Sequence, residues 1–398
     1  MSNRLFDRAS PPQIVTLVLA TATSALTLNV FLPSLPGMAL HFETDYAIVQ
    51  LAVTLYLAAT AMLQVLIGPA SDRLGRRPVM LGCFTVFMLG TIAAIYAPNV
   101  WVLLGCRLLQ AFSAAGIVLS RAIVRDTVGP TEAASKIGYV TMGMALAPMI
   151  APVIGGFLDE AYGWQSTFVL TLAFGVVALL AIYVDLGETN HNPSSSFGAQ
   201  FRAYPGLLRS RTFWGYTLTA SFTSGAFFAF VGGAPYVSTE MLGLSPSAYG
   251  GYFAIVSVGY ILGNFCSGRW STRAGINRMM FAGNVVTAAG LALAMALFAV
   301  GISHPLALFG PSIFLGIGNG ITLPNANAGI VSARPDLAGS ASGLGGALQM
   351  GGGAVLSFAT GAALSPQSGP YPMLALMLAS ALLALVSTFY IMRHTRAG

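Results

Sequence analysis

Among 398 residues, one charged side chain is enclosed by hydrophobic sequence on both sides. This is Arg107, in Leu104-Gly105-Cys106-Arg107-Leu108-Leu109-Gln110. A guanidinium held in apolar surroundings costs from about 3 to more than 10 kcal/mol unless it faces a wet cavity or finds partners. It can serve coupling or substrate binding, or it can brace the fold by bonding backbone carbonyls and neighbouring polar groups. Other side chains able to hydrogen-bond or stack from within apolar runs are Asn29, Tyr56, Gln64 and Gln110. Further along are Phe227, Tyr236, Tyr252, Asn264, Asn319, Asn325 and Gln349. Buried amides and phenols need partners. Each is therefore a candidate for lining a solute site and equally for joining helix to helix, with Arg107 and Asn29 leading the group.

Two denser motifs offer movement rather than reaction chemistry. In Gly68-Pro-Ala-Ser-Asp72-Arg73-Leu-Gly75-Arg76-Arg77-Pro78, Gly75 permits a tight turn and Pro78 suits the first turn of a following helix. Asp72 can pair with a nearby Arg or sit at a helix N-terminus, where the dipole favours a carboxylate. In Gly143-Met-Ala-Leu-Ala-Pro148-Met-Ile-Ala-Pro152-Val-Ile-Gly155-Gly156, the prolines kink a helix and the glycines admit a close neighbour. A third charged group, Arg121, Arg125 and Asp126, follows the Arg107 run. The four His are scattered, and Cys83, Cys106 and Cys266 show no CxxC spacing. No metal, cofactor or catalytic cluster is expected, and an enzyme is not the reading.

The elements that position these residues follow from composition. Charged residues make up 8% of the chain, against about 25% in soluble domains, so most of its surroundings must be hydrocarbon. Apolar runs of roughly 20 residues, the length that crosses a bilayer as helix, recur at 13–35, 47–70, 78–96, 100–121, 137–158, 166–185, 214–237, 248–270, 279–301, 305–331, 338–363 and 371–392. They are too long and too continuous for strands of a barrel. The first run follows a short polar start with no cleavage pattern, so it reads as a retained helix. Of the 18 basic residues, 17 fall in the termini and the even-to-odd connections. The alternate connections hold Glu43, Asp45, Asp159, Glu160 and Glu240 and no Lys or Arg. The positive-inside rule then places both termini in the cytoplasm, and it explains the net charge of +6 without a nucleic-acid partner.

The polar stretch around 187–212 divides the chain into residues 1–186 and 213–398, six runs each, with a flexible linker between. Gly68, Ser71, Arg73, Gly75 and Met80 recur as Gly268, Ser271, Arg273, Gly275 and Met280, a constant offset of 200 after the second run of each half. Twelve transmembrane helices in two pseudo-symmetric six-helix bundles are therefore expected, with any substrate site near the midplane between halves. That architecture and the Gly68–Pro78 motif resemble the major facilitator superfamily. The Arg107 motif matches its helix-four arginine motif, and the Pro/Gly run at 143–156 resembles its antiporter signature, with Ala151-Pro152 in place of Gly-Pro.

Ser120-Arg121-Ala-Ile-Val-Arg125-Asp126, Leu32-Pro33-Ser-Leu-Pro36, Gly233-Ala234-Pro235-Tyr236, Leu323-Pro324-Asn325-Ala326 and Ala338-Gly339-Ser340-Ala341-Ser342 resemble the bicyclomycin/chloramphenicol-resistance (Bcr/CflA) branch. The resemblance implies a drug:proton antiporter of the bacterial inner membrane, read here as a monomer. It implies that Asp72 helps latch the halves on the cytoplasmic side. The sequence departs from that branch in helix one, where Asn29 occupies the place of its usual carboxylate. With no acid deep in any run, a neutral or anionic amphipathic solute is expected over a cation. Proton coupling falls to Asp126, Asp72 or water at Arg107. The alternative is an uncoupled facilitator, an exchanger or an importer of a small metabolite on the same fold.

Overall fold

The computed structural model describes residues 11–128, 130–190, 204–334 and 337–394. Twelve long helical segments run in order. The first six are α1 (Ile14–His41), α2 (Tyr46–Leu74), α3 (Arg76–Ile95), α4 (Val100–Thr127), α5 (Pro130–Tyr162) and α6 (Gln165–Asp185). The second six are α7 (Arg211–Tyr236), α8 (Pro246–Ala274), α9 (Ile276–Ala299), α10 (Pro305–Ser332), α11 (Ala338–Ala363) and α12 (Tyr371–His394). Among the described residues, nine of these are long and apolar enough to cross a bilayer. The other three, α5, α7 and α11, match them in length. Large hydrophobic side chains such as Leu89, Val177, Phe265, Leu293 and Phe389 point outward. Water would not tolerate so many; lipid does. The protein is a multi-pass membrane protein.

Local chemistry sets the helix ends and breaks. Asn99, Ser210 and Ser245 accept the backbone N–H of Val102, Phe213 and Ala248, capping α4, α7 and α8. Pro33 and Pro36 interrupt α1 with a tight turn at Leu32–Ser34. Past Tyr236 the chain widens into a π-turn, in which Leu242 N–H bonds Val237 O at 3.1 Å.

The sequence repeat is also a structural one. Helices α2 and α8 are both 29 residues long and begin 200 positions apart. Each ends on a glycine in the left-handed region, Gly75 at φ 97° and Gly275 at φ 82°. Each glycine N–H returns to the serine four residues back, Ser71 or Ser271. Only glycine takes that conformation without strain.

Neutral polar groups join α7, α9 and α12: Thr223 donates to Asn284 Oδ1, and Asn284 Nδ2 donates to Thr388 Oγ1. The start of the connection between halves is docked on the first bundle. Residues 191–203 lie outside the described residues, as do Arg4, Arg8, Arg202 and Arg396. Leu186–Asn190, by contrast, dock against the α2–α3 turn. A short helix at Tyr204–Leu208 precedes α7.

Candidate functional site

Arg107 is fully buried in the first bundle. Its Nε donates to Ala52 O at 3.0 Å and its Nη1 to Thr27 O at 3.2 Å and to Gln110 Oε1. Gln110 passes the contact on, donating from Nε2 to Thr91 Oγ1 at 3.1 Å. The guanidinium carbon stands 4.2 Å from the Phe31 ring centroid and 4.5 Å from that of Tyr56. Four helices, α1 to α4, thus converge on one cation. Among the described residues no carboxylate pairs with it. Its charge is met by carbonyl dipoles, an amide and two π faces; a desolvated cation–π contact contributes about 2 kcal/mol. Nη2 has no hydrogen-bond partner, a rare state for a buried charged donor. Tyr56 is fixed in turn, its hydroxyl lying 2.9 Å from Ser24 O, 2.9 Å from Ser113 Oγ and 3.1 Å from Ser24 Oγ.

Asn29 is buried too, but it turns elsewhere. It lies two residues from both Thr27 and Phe31, which share the α1 face toward Arg107; residues two apart on a helix face different ways. Its Nδ2 bonds Ala25 O on its own helix at 2.7 Å, and its Oδ1 has no partner.

The remaining candidates divide between the halves. In the second bundle, Asn264 bonds Tyr260 O on its own helix, while Asn325 bonds Ser267 Oγ and Ile321 O. Gln349 bonds Asn327, Tyr252 stacks on Phe309, and Phe227 packs edge-on to Phe228 and Phe253. Asn319 is buried with Oδ1 unpartnered. Two candidates reach across. Tyr236 packs against Tyr46 with ring centroids 4.9 Å apart, and Gln64 Oε1 lies 2.8 Å from where a Cβ on Gly346 would stand.

The Tyr46 crossing belongs to an interface at the Glu43–Tyr46 end of the helices, here called the acidic end, whereas Gln64 meets the other half 18 residues further along α2. On one side α5 meets α8 backbone to backbone. A Cβ on Gly156 would lie 2.2 Å from Pro246 O, and one on Gly250 2.5 Å from Pro152 O. Gly155 faces inward instead, where a Cβ would lie 1.8 Å from Val30 O of α1. Of the two α5 prolines, Pro152 thus lies at the contact and Pro148 one turn before it. Beyond the apolar run 137–158, Glu160 accepts Ser247 N–H across the halves at 3.3 Å. Hydrogen bonds from Ser247 and Ser245 hold its carboxyl below the ordinary glutamate value. On the other side, α2 meets α7 and α11 through Tyr46 and Gln50: Tyr46 donates to Gly232 O at 3.1 Å and Gln50 Nε2 to Ser357 O at 2.9 Å.

The opposite, basic end is organised within the first bundle. Arg76 forms ion pairs with Asp72 and, at 2.9 Å, with Asp126, and it donates to Ser71 Oγ. Ser71 Oγ in turn donates to Gly68 O. Arg73 closes the last turn of α2. Arg77 donates to Leu186 O and Tyr183 O. Arg121 is partly buried and Arg125 exposed on α4.

Sequence reasoning overlooked Glu188, which accepts the N–H of Arg76 and Arg77 and so caps α3 from 112 positions away. It also overlooked Asp185, which is buried and accepts Gln13 N–H at 2.7 Å and Thr16 Oγ1 at 2.6 Å, tying α6 to the start of α1. Both sit where an apolar run gives way to polar sequence, so they read as linker. Their signal is a carboxylate at a helix end with an uncapped helix start nearby.

Comparison with known proteins places this arrangement. An MFS-type transporter of Bacillus subtilis, YdgK, is 33% identical over 371 residues, covering 92% of this chain and 91% of that one. A bicyclomycin resistance protein homolog of Haemophilus influenzae is 27% identical over 86% of this chain and 87% of its own length. That relative lies in the drug-resistance branch to which the motifs of α4, α7 and α10 point. The crystal structure of the human organic anion transporter MFSD10 superposes with a TM-score of 0.70 at 18% identity, covering 95% of this chain and 98% of that one. It shows the same fold. The Major Facilitator Superfamily family model matches residues 17–357 and 234–397. With its two six-helix bundles, its glycine-turned charge motif and its buried helix-four arginine, the chain belongs to the major facilitator superfamily of transporters.

Proposed function

We propose that the protein exports small amphipathic molecules, neutral or anionic rather than cationic, across the bacterial inner membrane by alternating access coupled to proton antiport. The observation that carries the substrate class is the isolation of Arg107. All 12 carboxylates of the chain lie at or beyond the ends of the apolar runs. Among the described residues the apolar runs therefore enclose a buried positive charge and neutral donors, with an unpartnered Nη2 and no acidic partner for it. Efflux is supported by the drug-resistance relative and by the Pro/Gly pattern of α5, whose Gly156 sits at the contact between halves.

In this reading the basic end faces the cytoplasm, with both termini, and the acidic end faces outward. The closed acidic end then makes this the state that receives solute from the cytoplasm. Asp72, paired here with Arg76 inside its own half, becomes available to latch the second half when the bundles rock the other way. Protons are carried by Asp72, Asp126 or water held at Arg107. Asn29, standing where related exporters carry an acid, favours a second reading, in which transport is uncoupled or exchanges one solute for another.

Expression in a bacterial host stripped of its own efflux pumps tests the substrate class. Resistance to a neutral phenicol should rise at least fourfold, while resistance to tetraphenylphosphonium, a permanent cation, stays within twofold of the control. Equal or greater protection against the cation would overturn the assignment.

A further inference from the structure

We infer that Gln50 is the bolt that holds the two halves shut at the acidic end, and that Gly232 and Gly361 form the slot it enters. The inference rests on the alternating-access reading above. Gln50 lies on α2, four residues after Tyr46, and is 1% exposed. Its Nε2 donates to Ser357 O at 2.9 Å and to Ser357 Oγ at 2.7 Å, both on α11. Its Oε1 accepts from Thr54 Oγ1 on its own helix at 3.4 Å.

The space around the amide exists because two helices of the other half lack side chains there. A Cβ on Gly361 would lie 2.6 Å from Gln50 Oε1, and one on Gly232 2.9 Å from Nε2. One turn nearer the helix start, Tyr46 closes over the slot, its hydroxyl on Gly232 O and its ring on Tyr236. The repeat sharpens the point. Position 250, the counterpart of Gln50 at the offset of 200, is a glycine that lets Pro152 O approach. One side of the interface thus closes by backbone contact and the other by a polar plug.

The energetics make the plug specific to one state. Both acceptors of the Gln50 N–H groups belong to the other half, so separation of the halves breaks both bonds at once. A buried amide left without acceptors is unfavourable, and one supplied with them favours the closed arrangement. Folding of α2 does not require it, because among the described residues its side chain bonds only Thr54 within its own half. Gln50 is therefore a positioning residue that sets the population of the state closed at the acidic end.

The test uses the full chain in lipid nanodiscs. Spin labels are placed at Tyr162→Cys and Val300→Cys, one exposed site per half, with Cys83, Cys106 and Cys266 replaced by Ser. Pulsed electron paramagnetic resonance reads the distance between them. Gln50→Ala should raise the ratio of open to closed distances about tenfold, the effect of losing the hydrogen bonds of one neutral amide. Gly361→Ala should shift it the same way by filling the slot.

Gln50→Glu separates a bolt from mere packing. A protonated carboxyl can donate to Ser357 O and an ionised one cannot, so the open fraction should fall as pH is lowered from about 8 to 5. Nearby Tyr46 and Tyr236 stay protonated over that range, and Glu160, on the other side of the interface, is present in the native chain, which serves as the reference. An unchanged distribution in Gln50→Ala, or no pH response in Gln50→Glu beyond that of the native chain, overturns the bolt. If no variant, Gly156→Ala included, shows a second distance, alternating access itself fails and the bolt falls with it.

Discussion

Replacing Arg107 by Ala should reduce transport by at least about 100-fold, a loss near 2.7 kcal/mol at 1.36 kcal/mol per tenfold. The protein should still reach the membrane in normal amount. Folding and function part company here for a physical reason. Removing the guanidinium loses bonds to Ala52 O, Thr27 O and Gln110 and the contacts with Phe31 and Tyr56. It also removes a desolvated charge from hydrocarbon, which offsets much of that loss. Ala52 O lies inside the continuous helix α2, where the helical ladder still reaches it, whereas Thr27 O, in the last turn before α1 breaks, gives up the Arg107 bond. What nothing replaces is a positive charge with a free Nη2 at the meeting of four helices.

Arg107→Lys should keep less than about a tenth of native transport, because an ammonium has neither the planar face nor the fork that contacts both rings and three acceptors. Solute flux per folded molecule in vesicles, with folded protein quantified by fluorescent size-exclusion chromatography, checks both variants. Near-native flux in Arg107→Ala would reduce the residue to a brace.

The second large effect is steric. Gly156→Ala should trap the protein open at the acidic end and cut flux by about 100-fold. Its Cβ would stand 2.2 Å from Pro246 O, a backbone atom of the other half that has no rotamer to move. Gly155→Ala makes a worse collision, 1.8 Å from Val30 O, but inside its own bundle. That variant should fail at folding instead, with a low yield of monodisperse protein. Gly251→Ala, where the added methyl meets nothing within 4 Å, is the neutral control. The spin-label pair at positions 162 and 300 distinguishes the cases. A closed distance and native flux in Gly156→Ala would remove this contact from the transport cycle.

What the sequence disclosed follows from range. Apolar run length and the placement of basic residues are local or periodic signals, and they delivered twelve helices in two bundles. The offset of 200 was visible in five residues, and Gly75 and Gly275 show why: each is the same left-handed stop on the same Ser-to-Gly bond. Arg107 stood out because one charge in an apolar run has few explanations. Its neighbours were harder. Tyr56 and Gln110 do contact it, whereas Asn29 shares a helix with Thr27 and Phe31 but not their face, a two-residue difference that spacing within a bent segment hides.

Contacts made across long separations left no mark. Gln50 and Ser357 are 307 positions apart, and the slot between them is defined by side chains that are absent. Glu188 reads as linker until Arg76 and Arg77 present their N–H groups to it.

The central claim, a proton-coupled exporter for uncharged or anionic solutes run from a midplane without carboxylates, is tested most directly in sealed vesicles. Purified protein is reconstituted with a pH-sensitive dye inside, a pH gradient is imposed, and a neutral phenicol is added. The account predicts proton movement that starts with the solute, scales with it, and disappears in Arg107→Ala. Solute transport with no accompanying proton flux would contradict it and leave the uncoupled or exchanging transporter as the reading.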